Sequence, residues 1–207
     1  LYTHNMDVDR INKGQLINID SSSKTFEAKV AGNPALVEVL KKSVLAEEVL
    51  ELKIGAKVMF VRNNFEVGFV NGTLGNVSGY TEKDEPIIKT LDGEFYVAKP
   101  ETWAIEDESG KALASFTQVP LRLAWAITIH KSQGMTLDSA FIDLSKAFEK
   151  GQGYVALSRL RDLNSLMLHG LNQTALEIDS LAMKADRRFQ VLSNEMDKFL
   201  DEKELQN

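Results

Sequence analysis

The 207-residue sequence contains no cysteine. This absence excludes a disulfide framework and a cysteine-ligated zinc or iron–sulfur site, and it makes a reducing cytoplasmic compartment the expected location. Long apolar runs are also missing. No segment approaches the ~18 residues that a membrane-spanning helix needs, so we expect no membrane partner. The three histidines are far apart and no H-E-x-x-H pattern occurs, so we predict no metal-binding residues.

An excess of basic residues is lacking as well, because 30 acidic residues outnumber 24 lysines and arginines and give a formal net charge of −6. Neutralising phosphates needs clustered basic residues, so any nucleic-acid interaction must depend on a local patch. The first residues, Leu1-Tyr2-Thr3-His4, include no initiator methionine and no basic or apolar region of a signal peptide. We therefore expect the chain to be part of a longer protein.

Hydrophobic spacing divides the chain into regions of different character. It predicts a helix over residues 5–16 with Asn5 or Asp7 as the N-cap, a strand over 26–30 and a second helix over 35–50.

Residues 51–105 carry the pattern of short strands and tight turns. The strands are predicted over residues 57–61, 69–70, 74–77, 87–91 and 95–97. Asn71-Gly72 and Asp92-Gly93 fit type I′ hairpin turns, in which both central residues need a positive φ. We interpret this region as an inserted β-barrel or sandwich of about 50 residues.

The region after the insertion predicts a parallel α/β sheet. Residues 121–129 (LRLAWAITI) are almost continuously apolar, as expected of a strand buried on both faces. Further strands are predicted over residues 140–144 and 165–168, with a helix over 151–161 between them.

The tail, residues 173–207, is predicted to be an amphipathic helix or helix pair that docks on the domain through one apolar stripe. The stripe consists of Leu181, Ala185, Phe189, Leu192, Met196 and Phe199 or Leu200.

Polar residues follow directly on the predicted buried strand that ends at Ile129. Ligands of open α/β sheets bind beyond the carboxyl ends of the strands. Lys131 supplies a positive charge for phosphate, and Gly134 permits close approach of the backbone. His130, Ser132 and Thr136 add hydrogen-bonding groups for phosphate or sugar oxygens. The alternative is an ordinary polar turn, since loops are generally polar.

Two arginines, Arg159 and Arg161, lie near the end of the helix predicted over residues 151–161. Arginines there commonly form surface ion pairs or complement the helix dipole. The alternative is an arginine finger, which stabilises charge on a transferring γ-phosphate across an interface.

Two long segments, AITIHKSQGMTLD (residues 126–138) and GQGYVALSRLR (residues 151–161), resemble motifs V and VI of the RecD-like and Pif-type superfamily 1 DNA helicases. The opening LYTHNMDVDRIN (residues 1–12) is similar to their motif IV region. Residues 54–59 and 70–73 resemble the Src-homology-type barrel that these helicases insert between those motifs. The resemblance extends to about Asn172 and implies a RecA-like domain of the P-loop NTPase type, over residues 1–50 and 106–172.

The resemblance also implies roles for individual residues. Arg159 would be the catalytic arginine finger, and Arg161 structural. Gln133 and Gly134 would lie near the nucleotide. The residues expected to hold single-stranded DNA are Thr3, His4, Thr128, His130, Lys131 and Ser132. In this family asparagine commonly follows the threonine, and here His4 takes its place. Phe65 or Phe69 could contact bases, although phenylalanine belongs by default to the core.

The sequence contains no G-x-x-x-x-G-K-[ST] phosphate loop and no buried strand ending in an Asp-Glu pair. ATP and Mg²⁺ would therefore be held mainly by an N-terminal RecA-like domain of the same protein.

The sequence as a whole predicts the C-terminal motor domain of an ATP-dependent DNA helicase that acts on single strands and duplex junctions. One alternative is a non-catalytic nucleic-acid-binding or protein-docking module. Another is an unrelated enzyme on an α/β scaffold, with the barrel as a lid.

Overall fold

The computed structural model describes the backbone of residues 1–204 and the side chains of residues 1–197. The helices are α1 (Asn5–Ile17), α2 (Pro34–Ser43), α3 (Gln152–Leu157), α4 (Gln173–Leu176) and α5 (Ser180–Glu204). The strands are β1 (Ser23–Glu27), β2 (Lys29–Gly32), β3 (Val49–Lys53), β4 (Lys57–Phe60), β5 (Leu74–Tyr80), β6 (Pro86–Thr90), β7 (Phe95–Val97), β8 (Glu101–Glu106), β9 (Ala112–Gln118), β10 (Leu121–Leu123), β11 (Ala140–Leu144) and β12 (Leu166–Leu171). The α/β class is as predicted. The chain forms two compact units, Leu1–Met135 and Thr136–Asn207.

The first unit contains three antiparallel sheets. Their strand orders are β10-β4-β5-β6-β7, β2-β9-β8 and β1-β3. One core fills the space beside the five-stranded sheet, with fully buried Leu50, Val58, Phe60, Ile88 and Leu121. Because β10 belongs to this sheet, the sheet includes one strand beyond residues 51–105.

The prediction of one long parallel strand over residues 121–129 is wrong. Only Leu121–Leu123 forms a strand, and it pairs antiparallel with β4. After it, the side chain of Asn12 binds the carbonyls of Leu123 and Ala126 and the amide of Ala126. These backbone groups are therefore satisfied by a side chain of α1 instead of a neighbouring strand.

The helix predicted over residues 35–50 ends seven residues early, at Ser43. Residues in Val49–Lys53 alternate between exposed and buried, which is the period of a strand, and they form β3. The strand predicted over residues 26–30 is divided between β1 and β2, which belong to different sheets. The N-cap of α1 is His4, in place of the predicted Asn5 or Asp7.

The two predicted turns of the insertion are present, but neither is of type I′. Positive φ occurs at Gly72 and Gly93, and among described non-glycine residues only at Asp84. Asn71 and Asp92 therefore have negative φ. The segment 69–70 is likewise not a strand: Phe69 makes one isolated bridge and stacks on Phe60 at 3.9 Å between ring centroids.

The second unit contains the parallel pair β11-β12, as predicted from the strand–helix–strand pattern. The connecting α3 ends at Leu157, four residues before the predicted end. Gly153 lies against α4: a Cβ there would be 2.1 Å from the carbonyl oxygen of Ala175.

The C-terminal helix α5 is as predicted, but the predicted docking of its apolar stripe is wrong for the described side chains. Leu181 is 72% exposed and Phe189 is 68% exposed. The side chains of Phe199 and Leu200 lie outside the described residues. Among the described helices, none has the length and apolar character required to cross a membrane.

Candidate functional site

A short parallel pairing aligns the opening segment with the segment that precedes the HKSQG sequence. The amide of Tyr2 donates to the carbonyl of Ile127 at 3.1 Å, and the amide of Ile129 donates to the carbonyl of Tyr2 at 2.9 Å. Tyr2 and Thr128 therefore form a parallel bridge. Because the two segments run in the same direction, the residues that follow each of them emerge at the same edge.

The residues after Ile129 form a single 3-10 turn, His130–Ser132. The hydroxyl of Ser132 is completely buried and donates to the carbonyl of Ile129 at 2.7 Å. The amide of Ser132 donates to the carbonyl of Thr128 at 3.0 Å. These bonds fix the turn so that His130 is exposed and Lys131 is half-buried.

Thr3 and His4 lie at the same edge. Thr3 is buried, and its hydroxyl oxygen is 2.8 Å from Nδ1 of the exposed His4 ring. The structure therefore brings together the six residues predicted to bind DNA. Three of them, Thr3, Thr128 and Ser132, are buried, so their side chains order the edge and leave His4, His130 and Lys131 at its surface.

Gln133 and Gly134 follow the turn and are exposed. Gly134 has a φ of +83°, which L side chains rarely adopt. Apart from its chain neighbours, no described residue has a heavy atom within 4 Å of the position that a Cβ would occupy there. The backbone at Gly134 is thus open to close approach by a ligand such as a phosphate.

Lys131 lies in a mixed electrostatic environment. Burial lowers the pKa of its ammonium, the Arg122 guanidinium lowers it further, and the carboxylates of Asp9 and Glu47 oppose this shift. The pKa of Arg122 is itself lowered, chiefly by burial. Neither Arg122 nor Asp9 was among the predicted site residues. The signal that could have pointed to Arg122 is its charge inside the otherwise apolar run of residues 121–129.

The second unit contains Arg159, just beyond the end of α3. Its guanidinium Nε donates to the carbonyl of Val155 at 3.0 Å, and Nη2 donates to the hydroxyl of Ser158 at 3.0 Å. Arg159 is half-buried, whereas Arg161 is exposed and pairs with Asp138 at 3.1 Å. The two arginines thus have different surroundings, with Arg161 in an ordinary surface ion pair.

Gln152, at the start of α3, is a buried polar residue that the sequence argument left without a role. Its side-chain oxygen accepts from the amide of Phe148 at 3.1 Å, and its Nε2 has no hydrogen-bond partner. Within the described part of the chain, no three acidic or histidine side chains are grouped to hold a metal ion.

Comparison with known proteins supports the family resemblance that the sequence motifs indicate. The family model of the DNA helicase Pif1 2B domain matches residues 35–80. The ATP-dependent DNA helicase Pif1 of Psychrobacter sp. (strain PRwf-1) is 44% identical, over 94% of this chain and 37% of that protein. Bacteroides sp. Pif1 in complex with ADP-AlF4 matches with a TM-score of 0.77 and 29% identity, over 94% of this chain and 46% of that chain. Bacteroides Pif1 bound to single-stranded DNA matches with a TM-score of 0.69 and 30% identity, over 94% and 45% respectively.

The fold and the ordered motifs of this chain are thus similar to those of superfamily 1 helicases. The stretch that it matches is the C-terminal part of the Pif-type superfamily 1 helicases. The chain spans less than half the length of the curated relatives that it matches.

Proposed function

We propose that the protein containing this chain is an ATP-dependent DNA helicase and that this chain forms its second RecA-like domain, over residues 1–50 and 106–172. Residues 51–105 would be the inserted Src-homology-type barrel. In support, the match to the 2B-domain model overlaps this insertion. Single-stranded DNA and duplex junctions are the proposed substrates, and the N-terminal RecA-like domain is the proposed partner.

The observation that carries this proposal is the parallel Tyr2–Thr128 bridge, which brings the predicted DNA-binding residues to one edge. His4, His130 and Lys131 reach the surface there, where they can contact the phosphates and sugars of a single strand. The buried hydroxyls of Thr128 and Ser132 keep the turn rigid, so these contacts are preorganised.

ATP, bound with Mg²⁺ mainly by the partner domain, supplies the free energy of the cycle when it is hydrolysed. The proposed role of Arg159 is to place its guanidinium beside the γ-phosphate, where charge develops during transfer. Its hydrogen bond to Val155 orients the guanidinium plane. The exposed backbone at Gln133 and Gly134 allows close approach to the nucleotide. Closure and reopening of the two domains would then move the strand.

The test is steady-state ATP hydrolysis by the full-length protein, with and without single-stranded DNA. Arg159→Ala should reduce DNA-stimulated turnover by about 10³-fold, because arginine fingers contribute on that scale. Arg161→Ala is the matched control and should stay within about twofold of the unmodified protein, since its ion pair with Asp138 is exposed.

Each other outcome has a defined meaning. Near-normal turnover in Arg159→Ala would exclude the finger role. A full-length protein without ATPase activity under any condition would exclude the helicase and favour the non-catalytic binding module. The 207-residue chain alone should hydrolyse no ATP, because it contains no phosphate loop.

A further inference from the structure

Helix α5 exposes apolar side chains along its described length. All side chains of residues 180–197 are exposed, and that of Phe189 is 68% exposed. The start of the helix is nevertheless fixed, because the carboxylate of Asp179 accepts hydrogen bonds from the amides of Leu181 and Ala182. Helices in proteins gain most of their stability by packing an apolar face. So much exposed apolar surface on one ordered helix indicates a partner that covers it.

The apolar residues of α5 recur at the spacing of a coiled-coil seam. Ala185, Phe189, Leu192 and Met196 follow one another at intervals of four, three and four residues. This alternation places them on one stripe that can face a second helix along its length. Val191, which is 47% exposed, lies off this stripe.

The sizes of the stripe residues favour antiparallel pairing of two copies of α5. When Phe189 of one copy lies opposite Leu192 of the other, Ala185 lies opposite Met196, because the two pairs of positions are centred on the same point. A small side chain then meets a large one, as dense packing requires. In parallel pairing each residue would meet its own equivalent, so that Ala185 would leave a void and Phe189 would be crowded.

The charges beside the stripe fit the same antiparallel arrangement. Arg188 and Glu195 each directly precede a stripe residue, and they are seven positions apart on the same flank. Antiparallel pairing brings Arg188 of each copy beside Glu195 of the other, which gives two ion pairs by symmetry. No residue three or four positions from Arg188 is acidic. The acid nearest to it in sequence, Asp186, accepts a hydrogen bond from the side chain of Gln190 at 2.8 Å.

We propose that α5 is a self-association surface on which α5 of a second copy of the protein docks in antiparallel orientation. The two stripes cover each other, and the Arg188–Glu195 ion pairs flank them. Because the same surface is used by both copies, the contact closes as a symmetric dimer. The stripe is short, so the dimer depends on protein concentration. This inference does not rest on the proposed helicase function, and a protein without ATPase activity would leave it intact.

The first test is sedimentation velocity of the full-length protein without DNA, over a series of protein concentrations. The unmodified protein should change from monomer to dimer as its concentration rises. Phe189→Gln should weaken this association by at least about 30-fold, because the phenyl ring is lost from the centre of the contact in both copies. Val191→Gln is the matched control, since this residue is exposed but lies off the stripe, and it should associate like the unmodified protein.

The second test reverses the charges beside the stripe. Arg188→Glu and Glu195→Arg should each weaken association by about tenfold, because two attractive pairs become two repulsive ones. The double variant Arg188→Glu/Glu195→Arg should recover the association of the unmodified protein, since it restores both ion pairs with their signs exchanged. Arg187→Glu is the control. It makes the same change of charge at the neighbouring position, which faces away from the stripe, and should leave association unchanged.

Three outcomes would overturn the inference. The first is an unmodified protein that stays monomeric at every concentration. The second is an Arg188→Glu variant that associates as well as Arg187→Glu, or a double variant that recovers nothing, because neither fits antiparallel pairing. The third is a Phe189→Gln variant whose association is unchanged but whose urea midpoint falls. Phe189 would then pack against another part of the same protein, because an exposed side chain contributes little to stability.

Discussion

Asn12 joins α1 to the segment that leads into the candidate DNA-binding turn. Its side chain is buried and makes three hydrogen bonds, at 3.4 Å to the carbonyl of Leu123 and at 3.0 Å and 2.9 Å to the carbonyl and amide of Ala126. An amide side chain can donate and accept at once, and these bonds use both capacities. Replacement by an apolar residue would leave backbone groups of a buried segment unsatisfied.

Asn12→Ala should therefore lower the free energy of unfolding by about 3 kcal/mol, because each buried unsatisfied group costs about 1–3 kcal/mol. Urea denaturation of the full-length protein, followed by circular dichroism, measures this change. Asn5→Ala, at an exposed position of the same helix, is the control and should change the free energy by less than about 0.5 kcal/mol. Equal effects of the two substitutions would contradict the role given to Asn12.

At the scale of residues, the sequence allowed the candidate ligand-binding residues to be predicted, but not the buried residues that hold them in place. Lys131 and Gly134 were predicted because a positive charge and a permissive backbone directly follow an apolar run, and the role of Arg159 was implied by the resemblance of the YVALSR string. Asn12 and Arg122 were missed for a physical reason. The hydrogen-bond partners of Asn12 are 111 and 114 positions away in the sequence. They come close to it only when the chain is folded, so no local sequence pattern reveals the contact.

At the scale of elements, apolar patterning predicted β7 and β11 from short apolar runs and α5 from its helical spacing. It failed where two periods overlap. Val49 fits the end of a helix by spacing, but it belongs to β3, in which Leu50 is fully buried and which pairs with β1. The long apolar run 121–129 predicted burial correctly, and only the pairing partners, which are distant in sequence, determined that it holds a short antiparallel strand.

The two glycines within helices offer a test of element packing, because they have opposite environments. A Cβ on Gly153 of α3 would be 2.1 Å from the Ala175 carbonyl oxygen of α4, whereas a Cβ on Gly14 of α1 meets nothing within 4 Å. Gly153→Ala should destabilise the protein by about 2 kcal/mol, since α3 and α4 must separate. Gly14→Ala should stabilise it by about 0.5–1 kcal/mol through helix propensity.

The measurement is the urea midpoint of each full-length variant beside that of the unmodified protein. The two midpoints should move in opposite directions. A Gly153→Ala protein as stable as Gly14→Ala would show that α3 does not approach α4 as closely as described.

At the scale of the whole molecule, the distribution of charge decides how nucleic acid could be held. With a net charge of −6, the chain as a whole repels a polyanion, so binding must depend on a few local cations. In the proposed function, Lys131 is one of them, and it stands beside the exposed rings of His4 and His130 at one edge. One lysine should then account for a measurable part of the electrostatic attraction.

Lys131→Ala should weaken binding of single-stranded DNA by the full-length protein about equally for all base sequences, because a phosphate contact does not read bases. The slope of log affinity against log salt should become less steep by about 0.7, the value for one released phosphate contact on a single strand. Fluorescence anisotropy at a series of salt concentrations measures both quantities.

Lys111→Ala, in the exposed turn between β8 and β9, is the control and should leave the slope unchanged. If the slope stays the same in Lys131→Ala while affinity falls, the lysine shapes the turn without contacting phosphate. If the loss depends on base sequence, this edge reads bases, and the assignment of Lys131 to the backbone is wrong.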